Sequence, residues 1–408
     1  MADDFPPAMR EEIGERFEEQ AHSPAAQQPG AASHLQTPPP GDHAAPTAER
    51  DSVTQNGAPY ASPRQAFAAI DLGTNNCRLL IARPQGSNFV VIDAFSRVVR
   101  LGEGIAQTGQ LSDAAMERTM AALHVCADKL KRRNVHLARS VATEACRRAA
   151  NGPEFIERVR EETGIALDII SAKEEARLAV MGCHLLLEAG EGPAVIFDIG
   201  GGSTELILID NRPGQPIRIR DWQSVPWGVV SLSETCGPEG PSAAERTSRY
   251  GKMLHLVGRS LADFSQRIEA ARSEIGPGRE LRLLGTSGTV TTLASLHLGL
   301  PQYDRRAVDG LLVQSADMRA ICRGLGQMSP AERIAQPCIG RERSELVVAG
   351  CAILDTILEL WPADRLGVAD RGIREGILRS MMAAEGSAER SLAALRNARR
   401  DARMEQLA

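Results

Sequence analysis

Two stretches of the 408-residue chain place an aspartate, a hydrophobic residue and a glycine-containing polar turn between apolar runs. They are "AFAAIDLGTNNCRLLIARP" (66–84) and "AVIFDIGGGSTELILID" (194–210), and their aspartates, Asp71 and Asp198, lie 127 residues apart. Glycine weakens a buried strand, so Gly200, Gly201 and Gly202 in succession need another reason. A tight turn of small residues lets backbone N–H groups approach an anion with no Cβ atom in the way. Gly73, Thr74 and Asn75 in the first unit, and Ser203 and Thr204 in the second, continue those turns and add side-chain donors. An aspartate cannot attract phosphate, but it can hold the hydrated Mg²⁺ that travels with phosphate, because Mg²⁺ prefers oxygen ligands. Either unit alone reads as a plain hairpin, since D-x-G turns are common. The matched pair reads as a phosphate site built twice.

The elements that must carry these turns alternate along the chain. Residues 67–73, the runs "CRLLIARP" and "FVVIDAFS", "HLARSVAT" and 166–171 read as strands. Residues 112–133 have helical spacing behind Ser112 as N-cap, "GPEFIERVREETG" is a helix closed by Gly164, and 172–190 is a helix ending at a glycine. Strands resume at 194, and helices dominate beyond about 241. Alternation of this kind predicts an α/β fold.

Composition excludes several functions. Residues 1–64 hold ten of the 23 prolines and, with ten acidic and four basic residues, a net charge of −6. The whole chain carries −5, so the remainder is near neutral. Such a Pro/Ala-rich stretch cannot bury enough apolar surface to offset its ordering entropy and is expected to be a disordered tail. The N-terminus is acidic, without the apolar core of a secretory signal. No run is long enough to span a membrane. The eight cysteines form no CxxC pair, which fits free thiols in a reducing cytoplasm. Four lysines stand against 43 arginines, and none precedes Ser or Thr, which excludes a GxxxxGK[ST] phosphate loop. The histidines beyond the tail lie far apart, with no HExxH to suggest zinc. The expectation is a cytoplasmic protein with neither nucleic acid nor membrane as partner.

Further stretches, in order, make the pattern specific: "RVVRLGEGIAQTGQLS" (97–112), "VATEACRRAAN" (141–151), "IISAKEEARL" (169–178), "VPWGVVSLSE" (225–234), "LLGTSGTVTTLA" (283–294) and "GIREGIL" (372–378). With the two turns, this series resembles the Ppx/GppA phosphatases, the exopolyphosphatases and guanosine pentaphosphate phosphohydrolases, within the superfamily that includes actin and the sugar kinases. The resemblance covers about residues 66 to 380 and implies two actin-like (ribonuclease H-like) domains, 65–191 and 192–385, around a central cleft. An Arg-rich helical tail, 386–408, is expected to follow. The implied activity is Mg²⁺-dependent release of terminal phosphate from inorganic polyphosphate, or from guanosine pentaphosphate, by a homodimer.

Site residues follow from the same resemblance. Glu174 and Glu175 point about 100° apart on a helix, so only one can face a given water, and spacing leaves open which. The family's catalytic base falls on Glu175. Arg147 alone reads as a helix-surface ion pair, and the resemblance gives it a phosphate contact; Arg100 is a weaker candidate of that kind. Asp71 and Asp198 would hold Mg²⁺, with Glu205 in support of the metal or the water, and Gly285 and Ser287 belong to a third phosphate-facing turn. The chain departs from the family pattern at Asn76, at Ala172–Lys173 and at Trp227, which bears on substrate preference. A kinase of the same superfold and a non-catalytic sensor of guanosine penta- or tetraphosphate are the alternatives.

Overall fold

The first aspartate-bearing run forms β1 (Ala66–Leu72), buried along its length except where Asp71 opens at its end. After the polar turn the chain returns antiparallel as β2 (Asn76–Gln85) and again as β3 (Asn88–Val98). β4 (Val135–Ala142) and β5 (Leu167–Ile169) then add parallel on the far side of β1, giving the order β3-β2-β1-β4-β5. The second run repeats the plan. β6 (Gly192–Ile199), β7 (Thr204–Asn211) and β8 (Arg218–Val225) form an antiparallel meander, with β9 (Arg282–Thr286) and β11 (Arg365–Ala369) parallel beyond β6. A three-residue antiparallel strand, β10 (Leu312–Gln314), closes the edge. The computed structural model describes residues 65–86, 88–190, 192–211, 217–275 and 281–386. They lie within the unit Asn56–Ala408. The expected tail at 1–64 and all but the first residue of the expected tail at 386–408 lie outside the described residues.

The helices with strong sequence signals form where expected. Ser112 accepts a hydrogen bond from the Ala115 N–H at the start of Asp113–Arg132, and Gly164, at φ 74°, closes Gly152–Thr163. These two cover one face of the first sheet. On the outer face of the second sheet pack Ala243–Ile275, Gly288–His297, Ser315–Gln327 and Val347–Leu360. The helix expected over 172–190 stops at Cys183 and tightens into a 3-10 turn, His184–Leu186. It must stop there to enter β6 at Gly192. Spacing had not separated the short strands β10 and β11 from the surrounding helical sequence.

Two helices exchange sheets. Helix Ala172–Cys183 follows the first sheet but lays Ala176, Val180 and Cys183 on Ile196, Ile207 and Leu284 of the second. The last helix, residues 373–386, follows the second sheet and lays Ile377, Leu378 and Met382 on Phe67, Ala69 and Leu80 of the first. They cross backbone to backbone. A Cβ on Gly182 would come 2.0 Å from the Gly372 carbonyl oxygen, and one on Gly376 would come 2.0 Å from that of Leu178. Gly182→Val and Gly376→Val should therefore each destabilise by about 1–3 kcal/mol or more, since rigid backbone rather than a side chain must yield. Thermal unfolding checks this, and wild-type melting of either variant would show that the crossing can open.

Candidate active site

The two turns face each other across one cleft between the sheets. They match at the level of single hydrogen bonds. The Gly73 N–H donates to the Asn76 carbonyl at 2.9 Å, and 127 residues later the Gly200 N–H donates to the Ser203 carbonyl at 2.9 Å. Each turn is held from behind. The carbonyls of Thr74 and Asn75 accept from the N–H groups of Gly102, Val99 and Arg100. Those of Gly200 and Gly201 accept from Val229 and Val230 at the start of helix Val229–Cys236, and that of Gly202 from the Ser231 hydroxyl. In a trans peptide the next N–H points the opposite way. The N–H groups of Gly201, Gly202 and Ser203 therefore turn from that helix, and they donate to no acceptor among the described residues.

The glycines also answer to packing. A Cβ on Gly201 would lie 2.8 Å from Thr74 Cβ, and one on Gly202 2.8 Å from Thr74 Oγ1 and from Glu144 Cγ. The two turns close on each other, so bulk at either position would force them apart. A ligand was the sole reason read from sequence; close approach of the opposite turn is a second.

Four carboxylates meet in the cleft wall: Asp71, Asp198, Glu175 and Glu205. Asp71 ends β1 opposite Arg78 on β2, while Asp198 ends β6 opposite Glu205 on β7. The first pair is balanced in charge and the second is not. Asp198 opens to the cleft on one side but is otherwise enclosed by protein. Burial, reinforced by the charges of Glu205 and Asp71, pushes its carboxyl up to about 8. Burial also raises Asp71, against Arg78 and Arg374, and Glu205, against hydrogen bonds from the Ser203 and Ser224 hydroxyls at 2.7 and 2.9 Å.

Glu175 stands in the first turn of helix Ala172–Cys183, whose N-cap Ser171 accepts from the Glu174 N–H. Glu174 is drawn aside by Arg139 and Arg177, and Glu175 faces the cleft. Burial and the nearby Glu205 hold the Glu175 carboxyl well above the usual range, against Arg147. The Arg147 guanidinium donates to three protein acceptors: Glu175 at 3.2 Å, Glu144 at 2.6 Å and the Ile170 carbonyl at 2.8 Å. It stands behind Glu175 and outside the cleft wall.

Gly73, Thr74, Asn75, Gly200, Gly201, Gly202, Ser203 and Ser287 join the carboxylates in the wall. Ser287 is held at φ 141°, a region that side chains rarely adopt, with its hydroxyl accepting from the N–H groups of Thr289 and Val290. Three other candidates sit elsewhere. The Thr204 hydroxyl donates to the Trp227 carbonyl. Gly285 makes room for Phe197, whose ring would lie 2.6 Å from a Cβ there. Arg100 braces the first turn through its backbone N–H. Sequence reading passed over Arg78, Glu144, Thr292 and Arg343, which also line the cleft. Arg343 donates to the Thr292 hydroxyl at 2.8 Å. Arg78, Glu144 and Thr292 lie inside the quoted stretches, whose pattern does not say which of their side chains face the cleft, and Arg343 lies outside all of them.

A model of the Ppx/GppA phosphatase family matches residues 80–385. The chain belongs to that family. Among its relatives is exopolyphosphatase 2 of Mycobacterium tuberculosis, 29% identical over 77% of this chain and 98% of its own. The crystal structure of the Aquifex aeolicus Ppx/GppA family member superposes with a TM-score of 0.64 at 28% identity, covering 79% of this chain and 98% of that one. An exopolyphosphatase from Cytophaga hutchinsonii shares the fold at a TM-score of 0.67 and 24% identity, over 78% of this chain and 98% of its own. This Ppx/GppA chain accordingly has the actin-like α/β fold, two mixed sheets with a cleft between them. No described helix is long and apolar enough to cross a membrane.

The donor chemistry of the wall fits one kind of metal. Among the described residues no group of three or more His, Cys, Asp or Glu side chains is placed to hold a metal ion by protein ligands alone, which is unlike structural zinc. Carboxylates with unbalanced charge and the buried, unpartnered Asn75 Oδ1 suit Mg²⁺, which keeps several waters and takes one or two carboxylates together with phosphate oxygens.

The raised Asp198 also sets a pH dependence. Its native carboxyl keeps a proton up to about pH 8, whereas the unfolded group releases it near its ordinary 3.8. Between those values the native state binds more protons, so stability falls as pH rises. In metal-free buffer Asp198→Asn should melt higher than wild type at pH 8, and the gap should close towards pH 4. Melting curves at four pH values test this, and a constant gap would mean an ordinary Asp198.

Proposed function

We propose that the chain is a phosphohydrolase that removes the terminal phosphate of inorganic polyphosphate with water activated by Glu175. The observation that carries the reading is the convergence, in one cleft, of two matched turns with free N–H groups and a buried glutamate whose neighbours hold it in place. Phosphoryl transfer needs little covalent chemistry from a protein beyond positioning, charge neutralisation and an oriented nucleophile. The N–H groups of Gly201, Gly202 and Ser203 would hold non-bridging oxygens of the terminal phosphate. Glu175 would take the proton as the water oxygen attacks phosphorus and the bridging P–O bond breaks, releasing a chain shorter by one phosphate. A carboxylate held above its ordinary range by burial and by Glu205 is a stronger base for that transfer. Asp71, Asp198 and Glu205 would hold Mg²⁺, which when bound neutralises phosphate charge. Arg147 would act behind Glu175, fixing its orientation.

Polyphosphate is favoured over guanosine pentaphosphate because, among the described residues, the cleft wall has no aromatic side chain on which a guanine would stack. Relatives named as exopolyphosphatases agree with that preference.

Glu175→Gln should lower phosphate release from long-chain polyphosphate by about 10²–10⁴-fold while leaving polyphosphate binding in place. Full turnover by this variant would remove Glu175 from the mechanism. Wild-type protein that binds polyphosphate without releasing phosphate would point to a sensor. A higher kcat/KM for guanosine pentaphosphate than for polyphosphate would reverse the substrate preference.

A further inference from the structure

A fifth carboxylate, Glu144, lines the cleft and has no part in the reaction described above. It begins the short helix Glu144–Arg148 at the end of β4, three residues before Arg147. On spacing alone this is an ordinary i, i+3 ion pair, of the kind that adds little on an exposed helix face. Its surroundings are different. The Glu144 side chain is only 14% exposed and that of Arg147 23%.

The two ends of the Arg147 guanidinium do different things. Nη2 donates to Glu144 Oε2 at 2.6 Å, while Nη1 donates to Glu175 at 3.2 Å and to the Ile170 carbonyl at 2.8 Å. The guanidinium is planar and its donors form a fixed fork. With Nη2 held by Glu144, the direction of Nη1 towards Glu175 is set. Arg148 Nε lies 3.9 Å from Glu144 Oε1. Glu144 thus has two cations beside it and repels a phosphate less than a bare carboxylate would.

The stem of the same side chain meets the lobe built on the second sheet. A Cβ placed on Gly202 would lie 2.8 Å from Glu144 Cγ and 3.4 Å from Glu144 Cβ. Gly202 belongs to the turn whose N–H groups point away from helix Val229–Cys236. Glu144 therefore packs its methylene carbons on the glycine turn of one lobe and holds the partner of Glu175 in the other with its carboxylate.

We propose that Glu144 is a positioning residue, which fixes Arg147, and through it Glu175, in register with the Gly201–Ser203 turn. This role rests on the reading of Glu175 as the base that activates water. Attack requires water and phosphorus at a set distance and direction. The turn would fix the phosphate and Glu175 the water, and Glu144 touches both supports.

The test measures steady-state phosphate release from long-chain polyphosphate with Mg²⁺, on variants that thermal melting shows to be folded. We expect Glu144→Ala to lower kcat by about 10–100-fold, as for a misplaced reacting group, with KM little changed. Glu144→Gln keeps the methylene packing and an acceptor for Arg147, and should retain more of kcat than Glu144→Ala. Combined with Arg147→Met, Glu144→Ala should cost nothing further, because both losses run through one guanidinium. If Glu144→Ala does not fold, Glu144→Gln takes its place in that cycle. Unchanged kcat in Glu144→Ala, or losses that multiply in the double variant, would overturn the proposal. A rise in kcat/KM would also overturn it, since Glu144 would then be competing with phosphate for Arg147. Full turnover by Glu175→Gln would instead remove the base reading, a result obtained before any change at Glu144.

Discussion

Two helices touching through bare backbone set the geometry of the whole molecule. Gly182 and Gly376 allow helix Ala172–Cys183 and residues 373–386 to cross with each glycine against a carbonyl of the other segment. Each helix leans on the sheet that it does not follow in sequence. The same crossing delivers the chemistry. Glu175 stands in the first turn of one helix, and the other begins beside Gly372, where a Cβ would lie 3.9 Å from Asp198 Oδ2. A side chain at either crossing glycine would move Glu175 relative to the strand-end carboxylates, so packing and the geometry of the cleft share one constraint.

Charge in the cleft is deliberately unequal. The two strand-end aspartates occupy equivalent places in the repeat, but one faces Arg78 and the other Glu205. Burying like charges together is costly, and the raised carboxyls of Asp198, Glu205 and Glu175 record that cost. The arginines around them differ in what they are free to do. Arg147 is committed to Glu144, Glu175 and Ile170, whereas among the described residues Arg78 makes no hydrogen bond or ion pair. A cleft of this kind sets carboxylates that favour a cation beside a guanidinium that favours an anion.

The turns show how one feature can serve two ends. Gly201 and Gly202 present N–H groups, and they also let Thr74 and Glu144 of the opposite lobe approach. Their carbonyls are tied to the start of helix Val229–Cys236. Orientation of the donors is therefore set before any ligand arrives, which is the condition for electrostatic stabilisation without reorganisation.

What the sequence determined by itself is what local chemistry and period encode. The paired D-x-G turns, the strand-turn-strand units around them, the Ser112 cap and the Gly164 stop are all legible because each depends on a few adjacent residues. The family motifs marked Glu175, Asp71 and Asp198. Tertiary structure alone decided the rest. That Glu174 turns to Arg139 and Arg177 while Glu175 faces the cleft depends on partners far away in sequence. The expected helix over 172–190 stops at Cys183 because a neighbouring helix and the start of β6 claim the chain there. Gly285 and Thr204 lie in motifs that suggest phosphate, yet their atoms serve Phe197 and Trp227. Arg78, inside the first strand-turn-strand unit, and Arg343, outside every quoted stretch, gain their meaning only from what stands across the cleft. Spacing along a chain reports which residues share a turn or a face; which of them meet across 127 residues is set by how the two sheets and their exchanged helices pack.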